Sequence, residues 1–253
     1  MAWSTSADTG IGATSQRFEL TIYQRIGMFH TNQMVSEMAI ATARHESKTS
    51  FLQAALQVIR TKGYTATTVE DVCEAAGLTK GSFFHHFDSK EELALAAADY
   101  WTEGARALFA SAPYHSRADA LERLLAYVDF RKALLTGKLV DFTCLAGTMV
   151  QEVYDTHPAI REACNRSISG HAETLEPDIA EAMRKHGVTG EWTSQSLALH
   201  IQAVLQGSFI LAKAKGGSAV AAECVDHLRR YIEMLFQPKG EPGLVGPVSG
   251  QPR

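Results

Sequence analysis

The stretch TVEDVCEAAGLTKGSFFHHFDSKEEL, residues 68–93, predicts two short helices joined by a glycine turn, followed by the start of a third helix. Thr68 and Asp71 stand three residues apart, as a capping box requires, so the first helix begins at about Val69. Gly77 ends that helix, because glycine readily adopts the left-handed conformation found at helix C-termini. This order of caps and glycine is typical of a helix-turn-helix, which predicts DNA binding.

The second helix of the motif is expected to run from Lys80 to about Phe87, with Thr79 as its N-cap. Helical spacing predicts that Phe83, Phe84 and Phe87 lie on its inward side. Such a helix fits the major groove with its N-terminal residues near base edges, and a glycine there lets the backbone approach the DNA. Helix N-termini and flexible cations bind phosphates. The candidate DNA-binding residues are Thr79, Lys80, Gly81, Ser82 and His85 for the bases, and Thr67, Thr68 and Lys90 for phosphates.

Residues 50–93 resemble the DNA-binding head of the tetracycline-repressor (TetR/AcrR) family of bacterial transcriptional regulators. The resemblance comprises a first helix that ends at Gly63 and Tyr64, a pair of threonines, the AAGLTKGS turn, the HHF ending and the SKEEL opening of the next helix. It implies a helix-turn-helix head followed by a larger helical domain for ligand binding and dimerisation. The family often has tyrosine at the position of Phe84, so Phe84 joins the DNA-binding candidates without a hydroxyl for a phosphate contact.

The charge of this region does not by itself favour DNA binding. Residues 44–101 carry more acidic than basic side chains, and the 253-residue chain has a net charge of −4. Only the arrangement is favourable, because the acids lie mainly on the second and fourth helices, whereas Lys80 and Lys90 flank the predicted recognition helix. A capped helix pair joined by glycine also occurs in many all-α proteins, and a purely structural motif is the alternative.

The remaining sequence predicts an all-α protein. The expected division is a disordered or weakly ordered extension at 1–45, the DNA-binding head at 46–94, a regulatory and dimerisation domain at 95–237 and a disordered tail at 238–253. Helical patterns cover 89–110, 118–136, 142–154, 159–186, 192–215 and 218–236. The helix at 159–186 is expected to bend near Pro177.

The last two helices, separated by Gly216 and Gly217, predict an αα-hairpin. Apolar residues cover more than one side of its first helix, so one side can pack on the body and another on a twin subunit. By resemblance to the family this hairpin forms a homodimer, which places two recognition helices about 34 Å apart on a palindromic operator in double-stranded DNA. The predicted interface residues are Leu197, Ile201, Leu205, Phe209, Val225, Leu228 and Ile232.

The sequence shows no catalytic motif, dinucleotide fingerprint or metal-ligand spacing, so no enzymatic activity, cofactor or metal site is expected. Its four cysteines are scattered without a CxxC pair, which argues against a disulfide framework and against a zinc finger. No apolar run approaches the roughly 18 residues of a membrane span, and no signal-peptide pattern occurs at the start. A cytoplasmic protein without membrane contact is therefore expected.

The body is expected to bind a small-molecule effector in an apolar pocket between helices. The candidate lining residues are Phe109, Tyr127, Phe130, Cys144, Met149, Gln151, Tyr154, His171 and Gln206. Cys144 has two interpretations, a thiol that reacts with electrophiles or oxidants and a small buried hydrophobe. The expected function is a dimeric, sequence-specific transcriptional regulator, a repressor that its effector releases from DNA. The alternatives are a sensor that uses Cys144 and a helical small-molecule-binding protein or enzyme without DNA binding.

Overall fold

The computed structural model describes Thr42 and residues 44–237. The predicted tail at 238–253 and most of the predicted extension at 1–45 lie outside this part of the chain. The chain divides into two compact units, Met1–Ser50 and Phe51–Arg253. In the first unit, residues 44–50 are helical, and Ser50 Oγ donates a hydrogen bond to the Glu46 carbonyl oxygen.

The second unit consists of α-helices joined by short turns, and no strand occurs in its described part. Its helices are α1 (51–62), α2 (Val69–Ala76), α3 (Lys80–His86), α4 (Lys90–Ala110), α5 (Ala120–Ala133), α6 (Leu139–Phe142), α7 (Leu145–Val153), α8 (Pro158–Glu173), α9 (Glu176–Lys185), α10 (Ser194–Lys215) and α11 (Ala219–Leu235). A 3-10 helix, Pro113–Ser116, follows α4. The all-α prediction is confirmed. The domain boundary predicted between residues 94 and 95 falls inside α4 and stays a prediction.

Aromatic side chains form the core that holds α1, α2 and α3 together. Phe51 of α1 packs edge-on against Phe83 and Phe87, with ring centroids 5.6 and 6.3 Å apart. Thr68 is the N-cap of α2, and Gly77 ends α2 at φ +65°, where a residue with a β-carbon is strained. The bounds predicted for α2 and the glycine turn are therefore confirmed.

The helix predicted at 142–154 begins later, at Leu145 of α7, because Phe142 is the last residue of the separate short helix α6. Thr143 and Cys144 have extended backbone between the two helices. The Cys144 Sγ accepts the Gly147 N–H at 3.4 Å and so caps the new N-terminus of α7. Cysteine is not one of the residues that usually predict a helix N-cap. The sequence pattern therefore did not indicate that a new helix begins after Cys144.

The helix predicted at 159–186 is divided, because α8 ends at Glu173 and α9 begins at Glu176. Pro177 lies in the first turn of α9, where its missing N–H would have no intrahelical partner. The proline therefore starts a helix instead of bending one, which corrects the prediction.

The hairpin of α10 and α11 is present, and Gly216 ends α10 at φ +73°. The seven residues predicted at a dimer interface are at most 6 % exposed and lie in the hydrophobic core of the body. They hold the hairpin to the rest of its own chain, which corrects their predicted position. The large apolar side chains that α10 and α11 expose are Leu199, Ile210, Leu211, Tyr231 and Met234.

Helix α10 carries apolar residues both on the side that packs into the core and on the exposed side. Its mean hydropathy over an 18-residue window is therefore high, at 1.3. By length and composition alone it could cross a membrane. In the structure, 44 % of that window is buried inside the protein.

Candidate DNA-binding head and effector cavity

The recognition helix α3 presents one exposed face that begins at its N-cap. The Thr79 hydroxyl accepts the Ser82 N–H at 3.2 Å, which satisfies a backbone donor of the first turn. The side chains of Thr79, Lys80 and His85 are exposed, Gly81 lies open beside them, and Ser82 is half-buried. The structure thus brings together the five residues predicted to face the bases.

Phe84 lies on this exposed face and not on the inward side. Its side chain is 56 % exposed, whereas Phe83 and Phe87 are buried. Successive residues of a helix point about 100° apart, so Phe84 cannot share the inward direction of Phe83. The ring of Phe84 stands edge-on to that of Phe83 at 5.2 Å and offers the DNA an apolar surface. This corrects the predicted orientation and keeps Phe84 among the candidates for DNA contact.

Two ion pairs tie the start of α2 to its neighbours. Lys80 pairs with Glu70 across the helix-turn-helix, and both side chains are more than half exposed. Lys62 pairs with Asp71 at 2.5 Å, and Asp71 also accepts the Thr68 N–H at 2.7 Å in the capping box. The Lys62 contact and then the Thr68 hydrogen bonds hold the pKa of Asp71 well below its usual range. Thr68 therefore positions α2, and Lys80 is paired with Glu70 on the exposed side of the motif.

Thr67 and Lys90 stabilise the turn before α2 and are not free to bind phosphate in this conformation. Thr67 is 1 % exposed, and its hydroxyl donates to the Gly63 carbonyl oxygen at 2.6 Å. The Lys90 Nζ donates to the carbonyl oxygens of Tyr64 at 3.1 Å and Thr67 at 2.9 Å. It also lies 4.4 Å from the centroid of the Tyr64 ring. These contacts correct the predicted phosphate role of both side chains.

A carboxylate from the body binds the other side of the same turn. Glu152 of α7 accepts the N–H groups of Tyr64 at 3.2 Å and Thr65 at 2.8 Å. Arg60 of α1 makes a second connection, since it lies 4.9 Å from the Trp101 ring of α4 and donates to the Thr143 carbonyl oxygen at 3.4 Å. The contacts made by Glu152 and Arg60 therefore connect the head to the body, in addition to the continuous helix α4.

A cavity of about 460 Å³ lies in the body. Four of the nine residues predicted for an effector pocket line it, namely Phe109, Cys144, His171 and Gln206. The other lining residues are Leu56, Tyr100, Trp101, Glu103, Gly104, Ala105, Leu108, Arg131, Leu134, Leu135, Asp141, Phe142, Ser167, Ile168, Gln202 and Phe209. The cavity is mostly apolar and its size is that of a small-molecule site.

The other five predicted pocket residues lie elsewhere. Tyr127 lines a neighbouring cavity of about 300 Å³, and Gln151 lines a third of about 210 Å³. Phe130 packs beside Phe109, with ring centroids 5.7 Å apart, without lining any of the three. Met149 is fully buried in the core that contains the head, and Tyr154 is 60 % exposed. Helix faces alone did not distinguish these positions, because they indicate which side of a helix is buried but not which cavity or core that side meets.

A chain of polar groups forms one wall between the cavities. The hydroxyl of Tyr127 lies 3.0 Å from His171 Nε2 and accepts a hydrogen bond from Gln202 at 3.4 Å. Burial, and then the nearby charge of Arg131, lowers the pKa of His171 to about 4, so its imidazole is neutral at pH 7. Burial also raises the pKa of Tyr127. All three groups of the chain are therefore uncharged.

Arg131 and Cys144 complete the reactive and charged groups of the cavity. Arg131 was not predicted, although Leu124, Val128, Arg131 and Leu135 follow one stripe of α5 at helical spacing. Cys144 is a half-buried free thiol that lines two of the cavities. Burial raises the pKa of the second body thiol, Cys164, to about 12.

A capped helix-turn-helix followed by a helical body defines a DNA-binding protein of the helix-turn-helix class. Residues 51–97 match the family model described as "Bacterial regulatory proteins, tetR family". Residues 120–228 match "Tetracyclin repressor-like, C-terminal domain". Together the two matches cover more than half of the chain, and the chain belongs to the TetR family. It is a DNA-binding transcriptional regulator.

Individual relatives agree with this assignment. The chain is 28 % identical over 191 residues to "Uncharacterized HTH-type transcriptional regulator in lacX 3'region" of Lactococcus lactis, covering 75 % of this chain and 94 % of that protein. It is 25 % identical over 206 residues to "HTH-type transcriptional repressor AcnR" of Corynebacterium diphtheriae, covering 80 % and 94 %. A solved TetR regulator from Chloroflexus aurantiacus superimposes with a TM-score of 0.67 at 27 % identity, covering 76 % of this chain and 96 % of that one.

Proposed function

We propose that this regulator is a homodimeric, cytoplasmic repressor that binds a palindromic operator and leaves it when a small molecule occupies the body cavity. The observation that carries the proposal is the position of α4, which is part of the DNA-binding head and also of the body that contains the cavity. Its first turns contribute Leu93 and Ala97 to the core of the head, and its later turns contribute Trp101 and Phe109 to the body. The proposal assigns no catalytic reaction to the chain, and its relatives are named as regulators.

The release mechanism follows from the length of α4. Its 21 residues form a rod of about 32 Å, which transmits a displacement at one end to the other. A molecule that pushes the cavity wall outward moves the start of α4, and with it the Lys90 contacts that hold the turn before α2. DNA then selects one conformer and the effector another, so each weakens binding of the other by the same factor.

The dimer is proposed to form through the outer side of the hairpin. Leu199 and Ile210 lie three turns apart on the same side of α10, Leu211 points about 100° away from Ile210, and each of the three is more than 40 % exposed. On α11, Tyr231 is exposed beside them, and its ring lies 5.1 Å from that of His200. Joined to a second copy, these two helices form a four-helix interface that spaces the recognition helices for successive turns of DNA.

Operator binding is tested by footprinting the DNA upstream of the protein's own gene. We expect a protected palindrome, and Lys80→Ala should relax base preference at specific positions of each half-site. Lys132→Ala, which removes a lysine of the body that is likewise paired with a carboxylate, is the matched control and should leave the footprint unchanged. A folded protein that protects no palindrome would contradict the proposal.

Effector release is tested by a thermal-shift screen of small molecules, because a ligand that binds the folded chain raises its unfolding temperature. Each hit is then added to the protein–operator complex, and DNA affinity is measured by fluorescence anisotropy. We expect cavity ligands to lower that affinity. Hits that stabilise the protein and leave the operator complex intact would argue against ligand-controlled release.

Dimerisation is tested by light scattering of Leu211→Asp, which places a charge on the proposed interface. Tyr154→Asp is the control, because Tyr154 is also a large exposed side chain, 60 % exposed against 43 % for Leu211, but lies at the C-terminus of α7. We expect Leu211→Asp to shift the mass to that of a monomer and the control to keep the dimer. A dimer in both variants would place the interface elsewhere.

A second candidate signal is chemical modification of Cys144. Its sulfur stands at the N-terminus of α7, where it accepts the Gly147 N–H, and the side chains of Arg60 and Lys213 interact with it electrostatically. A thiolate adds to the β-carbon of an α,β-unsaturated carbonyl while the α-carbon takes up a proton. Mass spectrometry after treatment with such a compound should find the adduct on Cys144, and Cys144→Ser should retain DNA binding without responding. An unmodified thiol and unchanged DNA affinity would remove this candidate.

A further inference from the structure

The lining of the cavity is mostly apolar and includes one positively charged side chain. Most of its wall consists of aliphatic and aromatic groups such as Leu134, Leu135 and Phe142. Arg131 of α5 lines the same cavity and is half-buried. A guanidinium keeps its charge at any physiological pH, so this site carries a fixed cation in a surrounding of low polarity.

The Arg131 guanidinium has no acidic partner within ion-pair distance among the described residues. Its Cζ lies 5.2 Å from the centroid of Phe109 and 5.9 Å from that of Phe209. Arg131 also has a hydrogen-bonding interaction with the Tyr127 hydroxyl, which uses only part of the five N–H donors of a guanidinium. These groups are a rigid fork that matches a carboxylate.

The two acids that line the cavity are bound elsewhere. Glu103 pairs with Arg106 at 2.7 Å on the surface of α4. Asp141 accepts the backbone N–H of Lys138 at 2.7 Å as part of the first turn of α6. Neither carboxylate forms an ion pair with Arg131, so its guanidinium has no direct ion-pair partner in the cavity.

The remaining polar groups around Arg131 are neutral donors and acceptors. Tyr127, His171 and Gln202 form one hydrogen-bonded chain, and the low pKa of His171 keeps its ring uncharged at pH 7. Such groups can bind a second oxygen of a ligand but cannot balance the cation. A half-buried cation without a counter-charge is costly, and a ligand that supplies one negative charge removes that cost.

We infer that the effector is an amphipathic carboxylate, whose carboxyl group binds Arg131 and whose hydrocarbon body lies against Leu134, Leu135 and Phe142. A single guanidinium balances a monoanion, which favours a carboxylate over a doubly charged phosphate. This inference rests on the proposed function in one respect, namely that the effector binds in this cavity. It adds the chemical class of the molecule and the residue that selects it.

The test uses matched pairs of probes that differ only in the head group. Decanoate is compared with decan-1-ol, and 4-phenylbutanoate with 4-phenylbutan-1-ol, by calorimetric titration of the full chain without DNA. We expect each carboxylate to bind about 10- to 100-fold more tightly than its alcohol, as for hydrogen bonds to a charged partner. Binding of neither carboxylate, or equal binding of acid and alcohol, would overturn the inference.

Variants then assign the preference to Arg131. Arg131→Gln should lose the preference for the carboxylates while its affinity for the alcohols stays the same, because the apolar wall is unchanged. Arg131→Lys keeps the charge without the planar fork and should retain a part of the preference; full retention in either variant overturns the inference. Lys132→Gln is the matched control, since Lys132 is the next residue of α5 but pairs with Asp226 outside the cavity.

Failure of this inference is distinguishable from failure of the proposed function. Carboxylates that bind through Arg131 without changing operator affinity contradict the release mechanism and support the inference. A neutral molecule that releases DNA equally from the wild type and from Arg131→Gln supports the release mechanism and overturns the inference.

Discussion

Replacing Lys90 with methionine separates a stabilising role of this residue from a phosphate-binding role. Methionine keeps the apolar stem and removes the ammonium that donates to Tyr64 and Thr67 and lies over the Tyr64 ring. Hydrogen bonds from a charged donor contribute about 1.5 to 3 kcal/mol and a cation–π contact about 0.5 to 1 kcal/mol. Because Lys90 is only half-buried, we expect the free energy of unfolding to fall by about 2 kcal/mol.

The matched control is Lys80→Met, which removes the same charge from the same surface region. Lys80 and Glu70 are both more than half exposed, and exposed pairs contribute about 0 to 1 kcal/mol. Urea unfolding followed by circular dichroism measures both variants. At about 2 to 4 °C per kcal/mol, the melting temperature of Lys90→Met should fall by about 4 to 8 °C and that of the control by little.

DNA binding supplies the second readout. The slope of log affinity against log salt decreases by about 0.9 for each phosphate contact that is lost. Since the Lys90 ammonium is engaged with backbone carbonyls, Lys90→Met should leave this slope unchanged. A slope reduced by about 0.9, or a loss of stability no larger than that of Lys80→Met, would refute the role assigned to Lys90.

Three further substitutions test other features of the head and cavity. Glu70→Gln should raise operator affinity about 2- to 5-fold in an anisotropy assay, because it frees Lys80 and removes a negative charge near the DNA. Gly77→Ala should lower the free energy of unfolding by about 1 to 2 kcal/mol in urea, since its φ of +65° is strained for alanine and its surroundings are open. His171→Gln should reduce the loss of stability between pH 6.5 and 4. The pKa of His171 is about 4 in the folded protein and about 6.5 in the unfolded chain. Its contribution to the free energy of unfolding is therefore fully present above pH 6.5 and falls by on the order of 2 kcal/mol toward pH 4.

Each of these substitutions has an outcome that contradicts its reasoning. Unchanged or weaker operator binding by Glu70→Gln would mean that the ion pair positions Lys80 for DNA. If Gly77→Ala had the same free energy of unfolding as the wild type, the turn would accommodate alanine without strain. For His171→Gln, a pH dependence identical to that of the wild type would mean that other groups cause the acid sensitivity.

Local signals were sufficient for the head. The capping box of Thr68, the left-handed glycine at Gly77 and the cap at Thr79 are short-range features, and the structure has each at its predicted place. The exposed side of Phe84 was missed because the three phenylalanines were assigned to one face, although adjacent residues of a helix point about 100° apart.

The sites in the body depended on contacts between residues far apart in the sequence. Met149 and Tyr154 both lie on the apolar-looking helix α7, yet one is fully buried beside the head and the other is mostly exposed. The seven residues assigned to a dimer interface are apolar at helical spacing, which any buried helix face also shows. Periodicity indicates that a face is buried but does not identify what covers it.

The sequence by itself determined that the chain is all-α, where the helix-turn-helix begins and ends, and to which family the head is similar. These features depend on caps, turns and spacing within a few residues. The tertiary structure alone decided that Lys90 stabilises a turn, that Glu152 joins the body to the head, and that Arg131 is a cation without a counter-charge in the cavity. The physical reason is that hydrogen-bond partners and burial of a charge depend on which distant segments fold against it, and no local pattern specifies them.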